Sequence, residues 1–306
     1  MNKKTVYSLL LLLAAMIWGS AFVAQSVGND IIGPLTFSGV RVTLGGVVLL
    51  PVIRILDLRQ GKGKQPLLPL RRDRKLLRGG LVCGTFMCIA TNLQQFGIVY
   101  TTVGKAGFIT SFYLALVPVF AVLFLRRRYA LLTWAGVALA LFGMYFLCMN
   151  ESFSVNRGDA LVFLCAICFS WQILAIDHYS AQVDAVRLSC WQMLCCGGLS
   201  VIAMFLFEKP TLSGILSAWL PICYAGIFSC GVAYTLQVVC QAQLEPALAS
   251  LLMSLESVFS VLFGWLILHQ TLSKRELLGC ALTFGAVLLV ELAPNSKEQK
   301  EKSENP

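Results

Sequence analysis

The sequence predicts an all-α, polytopic membrane protein with ten transmembrane helices arranged as two inverted five-helix repeats. Three observations carry that expectation: an apolar-rich composition, ten apolar runs of spanning length, and Lys and Arg gathered between alternate runs. The 306 residues are 58% hydrophobic and 13% charged, with a mean hydropathy of +0.77. Soluble domains lie nearer about 45–50% apolar and about 25% charged, so a water-facing surface of ordinary polarity is excluded. A span takes about 20 residues; ten use roughly 200 and leave roughly 100 for connections.

The runs place helices at 7–25, 34–55, 76–99, 106–125, 131–149, 158–176, 188–207, 215–238, 246–268 and 276–292. Asn29, Gly33, Gly61, Gly63, Pro66, Asn150, Asn156, Pro210 and Pro294 punctuate them. Pro34 and Pro246 suit a first helical turn, where a missing N–H costs nothing. Lys3 and Lys4 precede the first run as in a signal peptide. That run continues past Trp18 to Val27 with no small-residue cleavage site, so it reads as an uncleaved helix.

The net charge of +9 points to orientation and not to nucleic acid, because the charges occupy short loops between apolar runs. With the N-terminus inside, 18 Lys and Arg fall on the inner side and 5 on the outer, leaving Arg41 alone inside a span. The asymmetry predicts a plasma or inner membrane protein with both termini cytoplasmic. The basic loop 56–75 is an orientation signal or a contact for anionic headgroups. The polar tail 294–306 has the composition of a disordered segment. Most of the 12 cysteines lie in apolar runs, where a thiol acts as a small hydrophobe. Cys165 and Cys168 form a C-x-x-C without a nearby histidine, so no cofactor, metal or disulfide framework is expected.

The hexapeptide Val119-Phe120-Ala121-Val122-Leu123-Phe124 recurs as Val258-Phe259-Ser260-Val261-Leu262-Phe263, with five of six positions identical. A glycine-bearing helix follows each copy, with Gly136 and Gly143 in the first and Gly279 and Gly285 in the second. The repeats are 1–150 and 151–293. Five helices per half is odd, so the halves insert with opposite topology, which places a site near the midplane between them.

These features resemble an EamA-type member of the drug/metabolite transporter superfamily, over about Val6 to Leu292. The residues carrying the resemblance in the first half are Trp18-Gly19-Ser20, Arg41, and the stretch from Lys105-Ala106-Gly107 to Val117-Pro118. In the second half they are Leu255-Glu256-Ser257 through Gly264-Trp265, then Leu278-Gly279. The family's usual Glu-Pro pair stands as Val117-Pro118 in one half and Glu256-Ser257 in the other, so each keeps one member. The resemblance implies ten helices, a central cavity between the halves, and export or uptake of small metabolites.

Ionisable groups within a bilayer are functional candidates by default. Glu256, about ten residues into its run, is a candidate for binding a substrate amine or carrying a coupling proton; the alternative is a structural carboxylate. Arg41 is a candidate for pairing with Glu256 or holding an anionic group; the alternatives are capping carbonyls or snorkelling. Lys105 reads as an interfacial lysine reaching water, or one that steers anions. Asn92, Gln95 and Gln237 are cavity candidates, because amides are costly to leave unpaired in hydrocarbon, and Tyr234 joins them by sharing a helix face with Gln237 and Gln241. Ser111 aligns with Gly107, Leu114 and Pro118, while Ser250, Ser254 and Ser257 read better as helix packing. Trp18, Trp171 and Trp191 need partners for their indole N–H groups, on a cavity wall, with Trp18 and Trp171 as substrate-binding candidates, or in a structural contact. Gly107 and Pro118 are candidate hinges; Pro118 frees the carbonyl of Leu114.

The leading reading is a secondary carrier for small metabolites, including amino acids or related amphipathic compounds, with proton-coupled export as one mode. No G-x-x-x-x-G-K-[ST] loop is present to support ATP drive. An intramembrane enzyme and a channel or scaffold are the alternatives. His178 and His269 are the only histidines, and neither has a metal-binding neighbour pattern. The expected partners are a small-molecule substrate and the lipid bilayer, with no nucleic acid; monomer and homodimer both fit.

Overall fold

The computed structural model describes residues 3–61, 73–101, 103–148, 156–268 and 273–291; 264, 267 and 268 in the ninth run, like 103, 104, 147 and 148, are described by backbone alone. The expectations for the middle of loop 56–75, for His269 and for the tail lie outside the described residues. Among the described residues every regular element is helical. The helices are α1 (Lys3–Ile31), α2 (Pro34–Arg59), α3 (Arg74–Tyr100), α4 (Val103–Thr110), α5 (Tyr113–Leu125), α6 (Leu131–Cys148) and α7 (Arg157–Ser180). There follow α8 (Ala185–Phe207), α9 (Leu212–Ser217), α10 (Trp219–Cys223), a π-helical segment (Tyr224–Ala233), α11 (Tyr234–Gln241), α12 (Pro246–Met253), α13 (Glu256–Leu268) and α14 (Lys274–Glu291). Among the described residues eight stretches are long and apolar enough to cross a membrane, and Leu131–Phe146 is a shorter apolar helix. The last expected span, α14, falls short of that standard because Lys274, Arg275, Glu276 and Glu291 occupy its ends.

The local signals act as the sequence indicates. Pro34 and Pro246 open α2 and α12. Asn156 and Asp159 form a capping box on α7, and Asp73 and Asp184 cap α3 and α8. One cap comes from far away: the Glu208 carboxylate accepts from Leu35 N at 2.9 Å and from Thr36 N at 2.8 Å. It thereby satisfies orphan donors at the start of α2 and complements its dipole.

Three expected spans are not continuous helices. The fourth breaks at Ser111–Phe112 and the ninth at Ser254–Leu255, where tighter bonds such as Leu114 N to Ser111 O and Ser257 N to Ser254 O intervene. Pro118 lies inside α5, six residues past the break, so proline does not place it. The eighth span divides into α9, α10, the π-helical segment and α11. Apolar periodicity reports burial, not unbroken i→i−4 bonding, so these interruptions are invisible to it.

Polarity is distributed as a lipid solvent requires. Large apolar side chains such as Leu123, Phe205, Leu206, Phe207 and Leu288 face outward, while Arg41, Gln95, Gln172, Gln192, Gln237 and Glu256 are buried. α3 packs on α7 and α8, α2 on α8 and the π-helical segment, α6 on α14, and α1 on the π-helical segment and α11–α13. Missing side chains bring some of these pairs close. A Cβ on Gly19 would lie 2.6 Å from Phe259 Cβ, and one on Gly143 2.6 Å from Thr283 Oγ1. Successive long helices run back and forth. Lys4, Asp57, Arg127, Asp177, Arg187 and Glu291 gather at one end, the basic face; Tyr100, Lys105, Asn156, Asp159 and Glu208 gather at the opposite face.

Candidate functional site

The long helices leave a narrow central cavity of about 40 Å³, room for a few waters. α1 contributes Trp18, Phe22 and Gln25; α2, Arg41; α3, Gln94; α4, Thr110; and α5, Tyr113. From the second half of the chain come Phe169, Gln172 and Ile173 on α7, Ser229 on the π-helical segment, Tyr234 and Gln237 on α11, Met253 on α12 and Glu256 on α13. Aromatic walls and a few convergent polar groups are what an orienting pocket requires.

Glu256 is the first residue of α13, directly after the break at Ser254–Leu255. It is 6% exposed, and its Oε1 accepts from the Tyr113 hydroxyl at 3.2 Å. Arg41 is 3% exposed; Nη2 donates to Gln95 Oε1 at 3.3 Å, and the guanidinium stands 5.4 Å from the Phe37 ring centroid. Its Nε has no hydrogen-bond partner among the described residues. Among the described residues Arg41 and Glu256 form no ion pair, with each other or with a third residue. Two buried ionisable groups, one acidic and one basic, thus share one cavity with unused bonding capacity. Trp18 Nε1, Gln25 Oε1 and Gln237 Oε1 are also buried without partners. A ligand with both donor and acceptor groups can meet these demands.

Of the residues singled out from sequence, Glu256, Arg41, Gln237, Tyr234 and Trp18 line the cavity. Trp18 and Tyr234 meet edge to face at 4.9 Å. Gln95 stands behind the wall: besides holding Arg41, its Nε2 donates to Asn29 Oδ1 at 2.8 Å and to the Gln25 carbonyl at 3.3 Å. Asn92 lies elsewhere, bonded to Ser200 Oγ at 2.8 Å in a mostly apolar groove between α3 and α8. Trp171 lies among Phe86, Phe120 and Phe124, with centroids 6.4, 5.2 and 5.0 Å away. Ser111 is fully buried at the α4–α5 break, with its hydroxyl unpartnered. A Cβ on Gly107 would meet Ser260 Oγ at an ordinary 3.6 Å. The serines at 250, 254 and 257 each donate to the carbonyl three residues back. Trp191 donates to the Leu77 carbonyl at 3.2 Å.

Sequence reasoning missed Gln25, Thr110, Tyr113, Gln172 and Ser229. An amide in mid-run was the available signal for Gln172. Nothing local marked Tyr113, whose role depends on Glu256, 143 residues away.

A multi-pass, all-helical membrane protein with a polar cavity among its spans is the class that fold and site define. The sequence profile of the EamA-like transporter family matches this chain twice, at residues 5–149 and 156–292, and the chain belongs to that family. It is 30% identical to an uncharacterized transporter of Archaeoglobus fulgidus over 95% of this chain and 87% of the relative. It is 28% identical to the uncharacterized inner membrane transporter YedA of Escherichia coli, over 90% and 88%. With the uncharacterized transporter YoaV of Bacillus subtilis it shares 23%, over 87% and 90%. A solved crystal structure superposes with a TM-score of 0.75 at 20% identity, covering 94% of this chain and 96% of the other, and so shares the fold. The protein is therefore a membrane transporter and not an enzyme.

Proposed function

We propose that this transporter is a secondary carrier that moves small amphipathic metabolites, amino acids or related compounds, by alternating access around the central cavity. The observation that carries the reading is the unpaired approach of Arg41 and Glu256 to the same cavity. A substrate carboxylate on Arg41 and an amine toward Glu256 would offset two buried charges, while Trp18, Phe22, Phe169 and Tyr234 enclose the apolar part.

The packing supports two inverted halves, 1–150 and 151–293. Exchanging the halves maps the α2–α8 and α6–α14 pairs onto themselves. It also maps α3 against α7 onto the π-helical segment and α11 against α1. A site between such halves can face either side as they rock. Gly107 and Pro118 flank the α4–α5 break and are the proposed hinge; turnover of Pro118→Ala at the wild-type rate removes Pro118 from that role. The charge count, 18 against 5, favours both termini in the cytoplasm, and one relative is named for the inner membrane. Proton-coupled export follows if Glu256 carries the proton.

The test is counterflow exchange in liposomes against labelled amino acids, nucleosides, sugars and cationic drugs. Exchange of amino acids above protein-free liposomes is expected. Exchange confined to another class overturns the substrate assignment, and conductance overturns the carrier. Coupling through Glu256 requires pH-dependent exchange that Glu256→Gln abolishes; unchanged pH dependence in that variant removes the role.

A further inference from the structure

The cavity does not account for all the buried amides. Toward the basic face, Gln172 on α7, Gln192 on α8, and Gln237 and Gln241 on α11 are each at most 2% exposed. Gln237 Nε2 donates to Gln172 Oε1 at 3.4 Å, and Gln172 Nε2 donates to Gln192 Oε1 at 3.4 Å. Gln241 Nε2 donates to the Ile173 carbonyl at 3.4 Å. Among the described residues Gln192 Nε2, Gln237 Oε1 and Gln241 Oε1 are left without partners. Turning over the three linked amides does not cure this. The chain of bonds reverses, and Gln192 Oε1 and Gln237 Nε2 become the orphans. Whichever way the amides point, both ends require a partner from outside the cluster. Well-packed apolar residues would be more stable here, so packing does not explain four amides.

The opposite side of the cavity differs. There Gln95 is bonded through both ends of its amide, to Arg41, Asn29 and the Gln25 carbonyl. On that side Arg41 Nε and Gln25 Oε1 are orphaned on residues that line the cavity, and Ser38 Oγ and Asn92 Oδ1 on residues that do not. Toward the basic face, Gln192 and Gln241 are orphaned beyond the lining. Gln241 ends α11, one helical turn past Gln237, about 6 Å along the axis.

We propose that Gln172, Gln192, Gln237 and Gln241 form a second hydrogen-bonding station, over which a substrate's polar groups pass between the central cavity and the basic face. The proposal rests on the carrier reading and adds to it a route. Gln172 and Gln237 belong to both sites and hand the substrate from one to the other. Gln192 and Gln241 are closed off in this conformation and become wetted when the basic face opens. Uncharged amides that both donate and accept hold either end of a zwitterion without trapping it as a fixed charge would.

Gln192→Met and Gln241→Met keep volume and remove the amide. Three readouts are compared: thermal stability, equilibrium binding of the labelled amino acid that the wild type exchanges best, and its counterflow rate. The expected result is unchanged or raised stability, binding within about threefold of wild type, and exchange slowed at least about tenfold. Folded variants that exchange at the wild-type rate overturn the station and leave amides that hold resident water or serve packing. A second arm needs no substrate: Gln241→Cys, in a chain stripped of its 12 native cysteines, is exposed to a membrane-impermeant cationic methanethiosulfonate. Reaction at this buried position supports the station, and its absence overturns it. A wild type that exchanges nothing in the panel defeats the carrier reading, and the thiol reaction then judges the station by itself.

Discussion

Lys105 Nζ lies 2.5 Å from Asp159 Oδ2 and ties the start of α4 to the first turn of α7. The lysine side chain is 18% exposed and that of its partner 4%, so this is not an interfacial lysine simply reaching water. Asp159 also accepts from the Thr101 hydroxyl at 2.7 Å and from Asn156 N at 2.8 Å. At the other end of α7, Arg127 pairs with Asp177. The α4–α5 arm is thus fixed to α7 at both faces.

Removing the Asp159 charge leaves three donors short of a full acceptor. Asp159→Asn is expected to lower stability by about 1.5–3 kcal/mol, the range for hydrogen bonds to charged groups. Thermal unfolding in detergent measures it. Equal losses in Lys105→Ala, Asp159→Ala and the double variant would indicate coupling; strictly additive losses would deny it.

Arg41 reaches Gln95 while its Nε stays unpartnered. Lysine keeps the charge but not the planar fork. Arg41→Lys should slow amino-acid exchange by about tenfold or more. An unchanged rate would mean that charge alone suffices at this position.

The two tryptophans separate cavity from exterior. Trp18→Phe removes the orphaned Nε1 from the cavity wall and should raise the KM for exchange several-fold. Trp171→Phe keeps an aromatic ring beside Phe120 and should leave KM within about twofold. Equal effects would mean that substrate reaches both positions.

Tyr129 lies between α5 and α6 at the basic face, and burial pushes its hydroxyl up to about 12. A value above the ordinary one of about 10 means that the folded state resists ionisation. The stability it contributes is complete below pH 10 and is lost as pH rises through 12. Tyr129→Phe should therefore soften the fall in Tm between pH 9 and about 11.5; parallel curves would contradict the assignment.

Gly19 approaches α13 so closely that a Cβ would lie 2.8 Å from the Glu256 carbonyl. Gly19→Val should cost about 1–3 kcal/mol, as overpacking does, and displace the start of α13. A variant of wild-type stability and exchange would show that α1 can shift freely.

Arg41 and Glu256 were legible in the sequence because a charge within an apolar run stands out against its surroundings. The facing of neutral polar residues was not. One step along a helix turns a side chain by about 100°. Trp171 therefore joins Phe86, Phe120 and Phe124, while Gln172, the next residue, lines the cavity. Asn92 likewise turns to Ser200, and Gln94, two residues on, faces the cavity.

By itself the sequence determined the class of protein, the positions of its apolar runs and the charge asymmetry of its loops. Those follow from transfer between water and hydrocarbon, which acts on each segment separately. Tertiary structure decided where α4–α5 and α12–α13 break, that Tyr113 meets Glu256, and which amides stay orphaned. These depend on the rotation and approach of helices distant in sequence, settled jointly by close packing and by the cost of leaving a polar group unpaired away from water.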